Sequence, residues 1–398
     1  MAVRHSGTWH LANSGTCIPA LGTFRHLAHS GTGTFRHLAH SGTWHIPALG
    51  SSTWQLDIPD AATMETKRMT DQQETMKAVV FTEYGSPDVL QLKDIDKPVV
   101  KDNEVLVRIR ATSANAGDWH IMRGDPYLVR MLFGMLKPWK PTVLGNDFAG
   151  QVEAVGKNVS HFRPGDMVFG SALTGAFAEY ISVSEDTPAP KPANMRFEQA
   201  AAIPCAAITA LQAVRNAGRL ERGQKVLING AAGGVGTFAV QIAKSFGAEV
   251  TGVCSTRNVE TVRSIGADHV IDYTREDFTL SGQRYDLIID IVGNHSFSEF
   301  RRVLATKGTY VPVGGPGGGF LGSFADSLKA YALSHFMSQR VALLMATPNR
   351  EDLVYLKGLF EAGKVTPVID RQYTLIEAPE AIRYLEEGHA RGKVVITV

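Results

Sequence analysis

The sequence predicts an α/β protein in which a β-rich barrel domain precedes a doubly wound parallel-sheet domain, behind a disordered N-terminal extension. Short strand patterns separated by Gly, Pro and Asp begin at Met76 and predict the barrel. Strand and helix patterns alternate from Arg222 onward and predict the parallel sheet. The predicted boundaries are 1–75 for the extension, 76–200 completed by 340–398 for the barrel, and 201–339 for the parallel-sheet domain.

The first 75 residues differ in composition from the rest of the chain. The segment GTFRHLAHSGT occurs at 22–32 and again, identically, at 33–43. Rich in His, Ser, Thr and Gly, it lacks the apolar surface that would offset the entropy lost on folding. We therefore expect disorder here and a natural start near Met76, with an organelle transit peptide as the alternative, because no acidic residue precedes Asp57.

The barrel prediction depends on several short strand patterns between Met76 and the parallel-sheet domain. Val105, Val107 and Ile109 occupy alternate positions with charged neighbours, which is typical of a half-buried strand. Similar patterns are KAVVFTEYG, VLQLKDI, DFAGQVEAVG, GDMVFGSA and GAFAEYISV. Many short strands joined by glycine turns indicate a compact, partly open barrel.

The parallel-sheet domain contains the best-defined motif, at 225–246, where a strand, a glycine turn and a helix follow one another. Residues 226–228 form an apolar run typical of a buried parallel strand, and Gly247 stands where a left-handed C-cap is expected. The helix pattern consists of Val235, Phe238, Ala239, Ile242, Ala243 and Phe246. Further strands are predicted in DHVID, YDLIID and GTYVPVGG, and helices at 258–265 and 296–304.

The glycine turn indicates dinucleotide binding, because a phosphate can approach the unpaired N–H groups of a helix N-terminus only where side chains are absent. Against G-x-G-x-x-G it reads Ala231-x-Gly233-x-x-Gly236, so the first glycine is replaced. We expect Gly233, Gly234, Val235 and Gly236 to contact the cofactor. A purely structural glycine turn is the alternative.

The cofactor type is predicted from the residues after the next strand, 249–254. An NAD-binding protein places Asp or Glu there, whereas this sequence has Ser255, Thr256 and Arg257. Hydroxyl groups and a guanidinium can bind a 2′-phosphate that a carboxylate would repel, which favours NADPH. The alternative is that Arg257 is a solvated residue at the start of a helix.

Composition limits the possible partners. The 40 basic and 39 acidic residues give a net charge of +1, which provides no general attraction to nucleic acid. Three scattered cysteines suggest a reducing compartment, and we expect the cytoplasm. The sequence contains no uninterrupted stretch of about eighteen apolar residues, so we predict no transmembrane segment.

Several separated motifs together resemble a known family. VLGNDFAGQVEAVG, VLINGAAGGVGTFAVQIAK, GADHVIDY and the closing GKVVITV resemble the medium-chain dehydrogenase/reductase superfamily, and within it the zinc-independent quinone oxidoreductases similar to zeta-crystallin. The resemblance covers 76–398. It implies a GroES-like barrel, a Rossmann domain, and a homodimer formed through the edge strand 340–345.

The resemblance also allows the zinc site to be compared by position. Zinc-dependent members bind the metal through a Cys, the His of a GHE turn and a second Cys. The matching positions here are Asn115, Asn146 within 145–147, and Cys205. One thiol cannot form a catalytic zinc site with three protein ligands, so we expect no metal.

Without zinc, the expected reaction is hydride transfer from NADPH to a small lipophilic quinone or α,β-unsaturated carbonyl. The resemblance implies catalytic roles for Asn115 and His120, and for Tyr127 as a proton donor. It implies cofactor contacts for Thr209, Tyr273, Asn294, Gly314, Gly315 and Lys393.

Several alternatives stay open from the sequence. Tyr127 and Tyr273 could be packed aromatics, Asn294 a helix N-cap, and 314–315 a plain turn. Residues 314–337 could form a substrate lid or a subunit contact. The protein could instead be a non-enzymatic NADPH-binding adaptor, or act on enoyl-thioesters or alcohols.

Overall fold

The computed structural model describes residues 74–314, 328, 330–332, 334 and 337–398, and four short strands before them. The four strands are β1 (Val3–His5), β2 (Thr8–His10), β3 (Trp44–Pro47) and β4 (Thr53–Leu56). They pair antiparallel, β1 with β2 and β3 with β4, within a unit that comprises Met1–Gln72. The rest of the predicted extension and Gly315 lie outside the described residues.

The barrel part begins with eight strands. They are β5 (Thr75–Phe81), β6 (Gln91–Asp96), β7 (Glu104–Ala114), β8 (Thr142–Val143), β9 (Asp147–Val155), β10 (Met167–Ser171), β11 (Tyr180–Ser184) and β12 (Ala189–Pro190). The alternation predicted in β7 is confirmed, because Val105, Val107 and Ile109 are buried while Arg108 and Arg110 are exposed. The buried side chains of β7 pack against apolar residues of its antiparallel neighbours β9 and β11.

The second part contains a six-stranded parallel sheet. Its strands are β13 (Lys225–Asn229), β14 (Glu249–Cys254), β15 (His269–Asp272), β16 (Tyr285–Asp290), β17 (Leu304–Pro312) and β18 (Arg340–Val341). They lie in the order β15-β14-β13-β16-β17-β18. This is the 3-2-1-4-5-6 order of the dinucleotide-binding doubly wound sheet. Val226, Leu227 and Ile228 are all buried, as expected for a strand covered on both faces.

Two further strands return the chain to the barrel, as the family resemblance implied. They are β19 (Ile369–Thr374) and β20 (Lys393–Thr397). β20 pairs antiparallel with β7, with Val394 opposite Ala114, and places β19 at the end of the main barrel sheet. Residues 73–398 form one compact unit, so the internal domain boundaries stay a prediction.

Nine helices are described in full. They are α1 (Ala116–Arg123), α2 (Tyr127–Phe133), α3 (Phe197–Ala201), α4 (Pro204–Leu211), α5 (Gly234–Ser245), α6 (Val259–Ser264), α7 (Phe297–Val303), α8 (Arg350–Glu361) and α9 (Ala378–Glu386). No helix in the described part of the chain is long and apolar enough to cross a membrane. One apolar core joins the two sheets, since Phe169 of β10, Ile208 of α4 and Phe238 of α5 share a cluster with Ile228 of β13.

Two local predictions differ from the structure. The helix predicted at 296–304 ends at Val303, because Leu304 already begins β17 and is fully buried there. The strand predicted at 340–345 contains only 340–341. These residues pair with β17 and therefore belong to the parallel sheet, although 340–398 was predicted to complete the barrel.

Candidate active site

The glycine turn after β13 forms an open cradle at the start of α5. Gly230 has φ +88°, which favours glycine, and a Cβ on Gly236 would lie 2.1 Å from the Gly230 carbonyl oxygen. These two glycines are therefore required by the turn itself. A Cβ on Gly233 would meet only the Gly230 carbonyl oxygen, at an ordinary 3.6 Å, and otherwise open space. Gly233 is the N-cap of α5, so the space faces unpaired helix N–H groups.

Predicted cofactor contacts gather where β13 and β16 end, which is the point at which the strand order of the sheet reverses. The Asn229 amide donates to Asp290 Oδ1 and to Asn294 Oδ1, both at 2.8 Å. A Cβ on Gly314 would lie 2.0 Å from the Ile291 carbonyl oxygen, so the chain passes here without room for a side chain. Asn294 and Gly314 thus lie beside the glycine cradle.

The alternative role of Asn294 as the N-cap of α7 is wrong. Ser296 is the N-cap, and its hydroxyl accepts from the backbone N–H of Glu299. Asn294 is free for this reason to pair with Asn229.

At the end of β14 the structure adds a carboxylate to the predicted phosphate site. The Thr256 hydroxyl donates to Asp272 Oδ2 at 2.6 Å, and the hydroxyl of Thr274 donates to Oδ1 at 2.7 Å. The hydrogen bond from Thr256 lowers the pKa of Asp272, which keeps it ionised. Arg257 and Tyr273 are exposed nearby in sequence, and Ser255 is half-buried. Asp272 ends the DHVID strand, and that position could have indicated it.

A buried polar cluster lies where β9, β20 and α4 meet, and its centre is the fully buried carboxylate of Asp147. Asp147 Oδ1 accepts the backbone N–H of Cys205 at 2.8 Å in the first turn of α4. Asp147 Oδ2 accepts from the Ser113 hydroxyl at 2.8 Å and from the Asn115 amide at 2.9 Å. These hydrogen bonds are the compensation that a buried charge requires.

Lys393 supplies the opposite charge. Its Nζ lies 3.6 Å from Asp147 Oδ2 and donates to Asn115 Oδ1, and only 3% of the residue is exposed. The side chain passes beside the glycine cradle, since its Cδ lies 3.2 Å from a Cβ placed on Gly234. Lys393 therefore links the cradle to the Asn115 and Asp147 side chains.

A second buried carboxylate belongs to α1. Asp118 is fully buried and accepts the backbone N–H groups of Asn115, at 2.8 Å, and of Gly145, at 3.1 Å. Burial raises the pKa of Asp118 to about 7, with a smaller contribution from the charge of Asp147. Local sequence patterns do not predict the burial of Asp118, because that burial depends on elements distant in the chain.

Comparison with known proteins places this architecture in a family. The alcohol dehydrogenase GroES-like domain matches residues 101–193, and the zinc-binding dehydrogenase domain matches 265–396. A quinone oxidoreductase structure from Coxiella burnetii is 34% identical, with a TM-score of 0.74, and the match covers 82% of this chain and all of that one. The chain belongs to the quinone oxidoreductases of the medium-chain dehydrogenase/reductase superfamily.

Two curated relatives are similar to this chain over most of their length. The 2-methylene-furan-3-one reductase of Solanum lycopersicum is 35% identical, covering 84% of this chain and 82% of the relative. A mitochondrial NAD(P)H oxidoreductase of Homo sapiens is also 35% identical, covering 81% and 89%. The family member is accordingly an oxidoreductase that uses a nicotinamide cofactor, and the cradle at Gly233 fits its phosphates.

The residues at the matched zinc-ligand positions of this chain do not fit the zinc ion that related dehydrogenases bind. The Asn146 amide donates to the carbonyl oxygen of Ala172 at 3.2 Å, and Asn115 pairs with Lys393. Burial raises the pKa of the Cys205 thiol to about 12, so this thiol is protonated at neutral pH in the metal-free protein. Among the residues that the structure describes, no three His, Cys, Asp or Glu side chains could hold a metal ion.

The structure places the predicted catalytic residues, and the predicted cofactor contact Thr209, in different surroundings. Asn115 is in the buried cluster, and Thr209 lies one turn along α4, where its hydroxyl donates to the Cys205 carbonyl oxygen at 2.7 Å. His120 Nδ1 donates to the Asp125 carbonyl oxygen at 2.7 Å, and burial lowers its pKa, which favours the neutral ring. Tyr127 is 56% exposed at the start of α2. The catalytic roles of these residues stay predictions.

Proposed function

We propose that this oxidoreductase reduces lipophilic quinones or α,β-unsaturated carbonyls by hydride transfer from NADPH, without zinc. The observation that carries the proposal is the buried cluster of Lys393, Asn115 and Asp147 beside the dinucleotide cradle. Asn115 stands at one of the three positions at which, by the family resemblance, zinc-dependent relatives hold their metal. The cluster supplies hydrogen-bond donors and a buried ammonium in place of a Lewis acid.

Quinones and enones suit such a site because conjugation spreads the negative charge that hydride delivery creates. An alcohol lacks that conjugation and depends on a metal to stabilise its alkoxide. Two similar proteins, a quinone oxidoreductase and a 2-methylene-furan-3-one reductase, are named for substrates of these classes and support the proposal. The protein's remaining contribution is orientation of the cofactor and substrate.

NADPH oxidation by the purified full chain tests the proposal. A panel of a benzoquinone, a naphthoquinone, an unconjugated aldehyde and a conjugated enone should show turnover with the conjugated compounds alone, and a chelator should leave the rate unchanged. NADPH binding without oxidation of any panel member would favour the adaptor function. Loss of activity with the chelator, restored by zinc, would contradict zinc independence.

The preference for NADPH over NADH rests on Arg257, Ser255 and Thr256. Arg257→Ala should weaken NADPH binding by about 1.5–3 kcal/mol, the value of one hydrogen bond to a charged group, and leave NADH binding nearly unchanged. Calorimetric titration with both cofactors measures the difference. Asp272→Asn is the matched comparison, because it removes a negative charge near Thr256 and should strengthen NADPH binding. Equal losses for both cofactors after Arg257→Ala would contradict the preference.

We also propose a homodimer formed through the edge of β18 that lies opposite β17, an edge that pairs with no other strand in the described part of the chain. Val341 is buried within the chain, whereas Leu343 and Met345 are 38% and 81% exposed just beyond the strand. β18 is the last strand of the parallel sheet, and an apolar sheet edge is commonly covered by a second copy. Leu343→Lys should then give a folded monomer in sedimentation experiments at micromolar concentration. A wild-type monomer under the same conditions would contradict the dimer.

The cytoplasmic location stays a prediction. It rests on the scattered cysteines, and the human relative is named as mitochondrial. Imaging of the tagged full chain in cells would decide between the two compartments.

A further inference from the structure

Helix α2 and the segment after it expose an unusual amount of apolar surface. Seven large side chains in residues 127–139 are exposed to solvent by 47–89%. They are Tyr127, Leu128, Met131, Leu132, Met135, Leu136 and Trp139. Single exposed apolar residues are ordinary, but a contiguous group of this size indicates an interaction surface. We call residues 127–140 the apolar segment.

The apolar segment is held firmly by the fold. Val129 and Phe133, four residues apart on α2, pack against the core that includes Phe81. The Tyr84 hydroxyl donates to the Gly134 carbonyl oxygen at 2.7 Å, where α2 ends. The backbone N–H of Trp139 donates to the Phe133 carbonyl oxygen at 2.8 Å. The exposed face is therefore a defined surface of the molecule and not a frayed end.

The charges of the apolar segment have one sign. Arg130, Lys137 and Lys140 are its only ionisable groups apart from Tyr127, and it contains no Asp or Glu. Both lysines are exposed. Arg130 is half-buried and donates from Nε to the Gly124 carbonyl oxygen at 2.9 Å. Apolar and aromatic side chains with flanking lysines are typical of segments that lie in a membrane interface.

We propose that the apolar segment binds the surface of membranes that contain anionic lipids. Leu132, Leu136 and Trp139 would enter the headgroup region, while Lys137 and Lys140 contact lipid phosphates. A protein partner fits less well, because protein interfaces are depleted in lysine. This surface would bring the oxidoreductase to lipophilic compounds dissolved in the bilayer. The proposal goes beyond the proposed function and does not depend on turnover.

Co-sedimentation of the full chain with vesicles tests the proposal. Vesicles of phosphatidylcholine alone are compared with vesicles that also contain phosphatidylglycerol. The wild-type chain should bind the anionic vesicles, and Leu132→Glu should reduce its partition coefficient more than about tenfold, because a carboxylate replaces an inserted side chain. Leu280→Glu is the matched control, since Leu280 and Leu132 are 67% and 66% exposed. It should bind as the wild type does.

Further measurements distinguish lipid binding from self-association and from a substrate contact. Lys137→Gln with Lys140→Gln should weaken binding to anionic vesicles and reduce its salt dependence. Thermal unfolding and NADPH binding of every variant confirm that the fold is intact. Unchanged vesicle binding by Leu132→Glu would overturn the proposal. An absence of vesicle binding by the wild type would also overturn it. In that case, altered self-association of Leu132→Glu would indicate that the apolar segment binds a second copy of the chain. A changed KM for a soluble quinone would indicate that it contacts substrate.

Discussion

Gly233→Ala is expected to weaken nicotinamide dinucleotide binding by about 100-fold or more, which corresponds to roughly 2.7 kcal/mol, while leaving the fold intact. The Cβ would enter the open space of the cradle, 3.6 Å from its nearest neighbour, the Gly230 carbonyl oxygen. That space lies at the N-terminus of α5, where the phosphates would accept hydrogen bonds from the helix N–H groups. The methyl group would therefore displace ligand and not protein.

Calorimetric titration with NADPH and NADH measures this loss, and thermal unfolding tests the fold. Gly358→Ala in α8 is the matched control, since a Cβ there would meet nothing within 4 Å. It should leave cofactor binding unchanged and raise the free energy of unfolding by about 0.5–1 kcal/mol. Cofactor binding by Gly233→Ala at wild-type affinity would show that the phosphates bind elsewhere.

Asp147→Ala is expected to lower the free energy of unfolding by about 3–5 kcal/mol, the usual cost of removing one partner of a buried ion pair. The substitution leaves the buried Lys393 ammonium without its counter-charge. It also removes the acceptor of the Cys205 N–H and of the Ser113 hydroxyl. Each buried donor left unpaired adds to the cost.

A double-mutant cycle separates the ion pair from the other hydrogen bonds of Asp147. Lys393→Met alone should also destabilise the protein, because it leaves the Asp147 carboxylate buried without a cation. The double variant Asp147→Ala with Lys393→Met should be more stable than the sum of the single losses predicts. Urea unfolding at neutral pH gives the four free energies. Additive losses would mean that the two charges do not interact.

The local elements and the fold class could be predicted from the amino-acid sequence. The strand, turn and helix at 225–246 were predictable because an apolar run, a glycine group and helical spacing are properties of neighbouring residues. The alternation in β7 was predictable for the same reason, whereas the return of the chain to the barrel at β20 was implied only by the family resemblance. The family resemblance located the zinc-ligand positions, and residue identity then showed that two of the three metal donors are replaced.

Contacts between distant residues could not be predicted from the sequence, because they depend on how the elements assemble. The contact between Lys393 and Asn115 depends on the pairing of β20 with β7, which joins residues 278 positions apart. The Asp272 carboxylate reaches Thr256 because β14 and β15 end side by side. The solvent exposure of the apolar segment also depends on how distant elements of the chain pack around it. Burial and long-range contact are properties of the assembled chain, and local sequence patterns do not contain them.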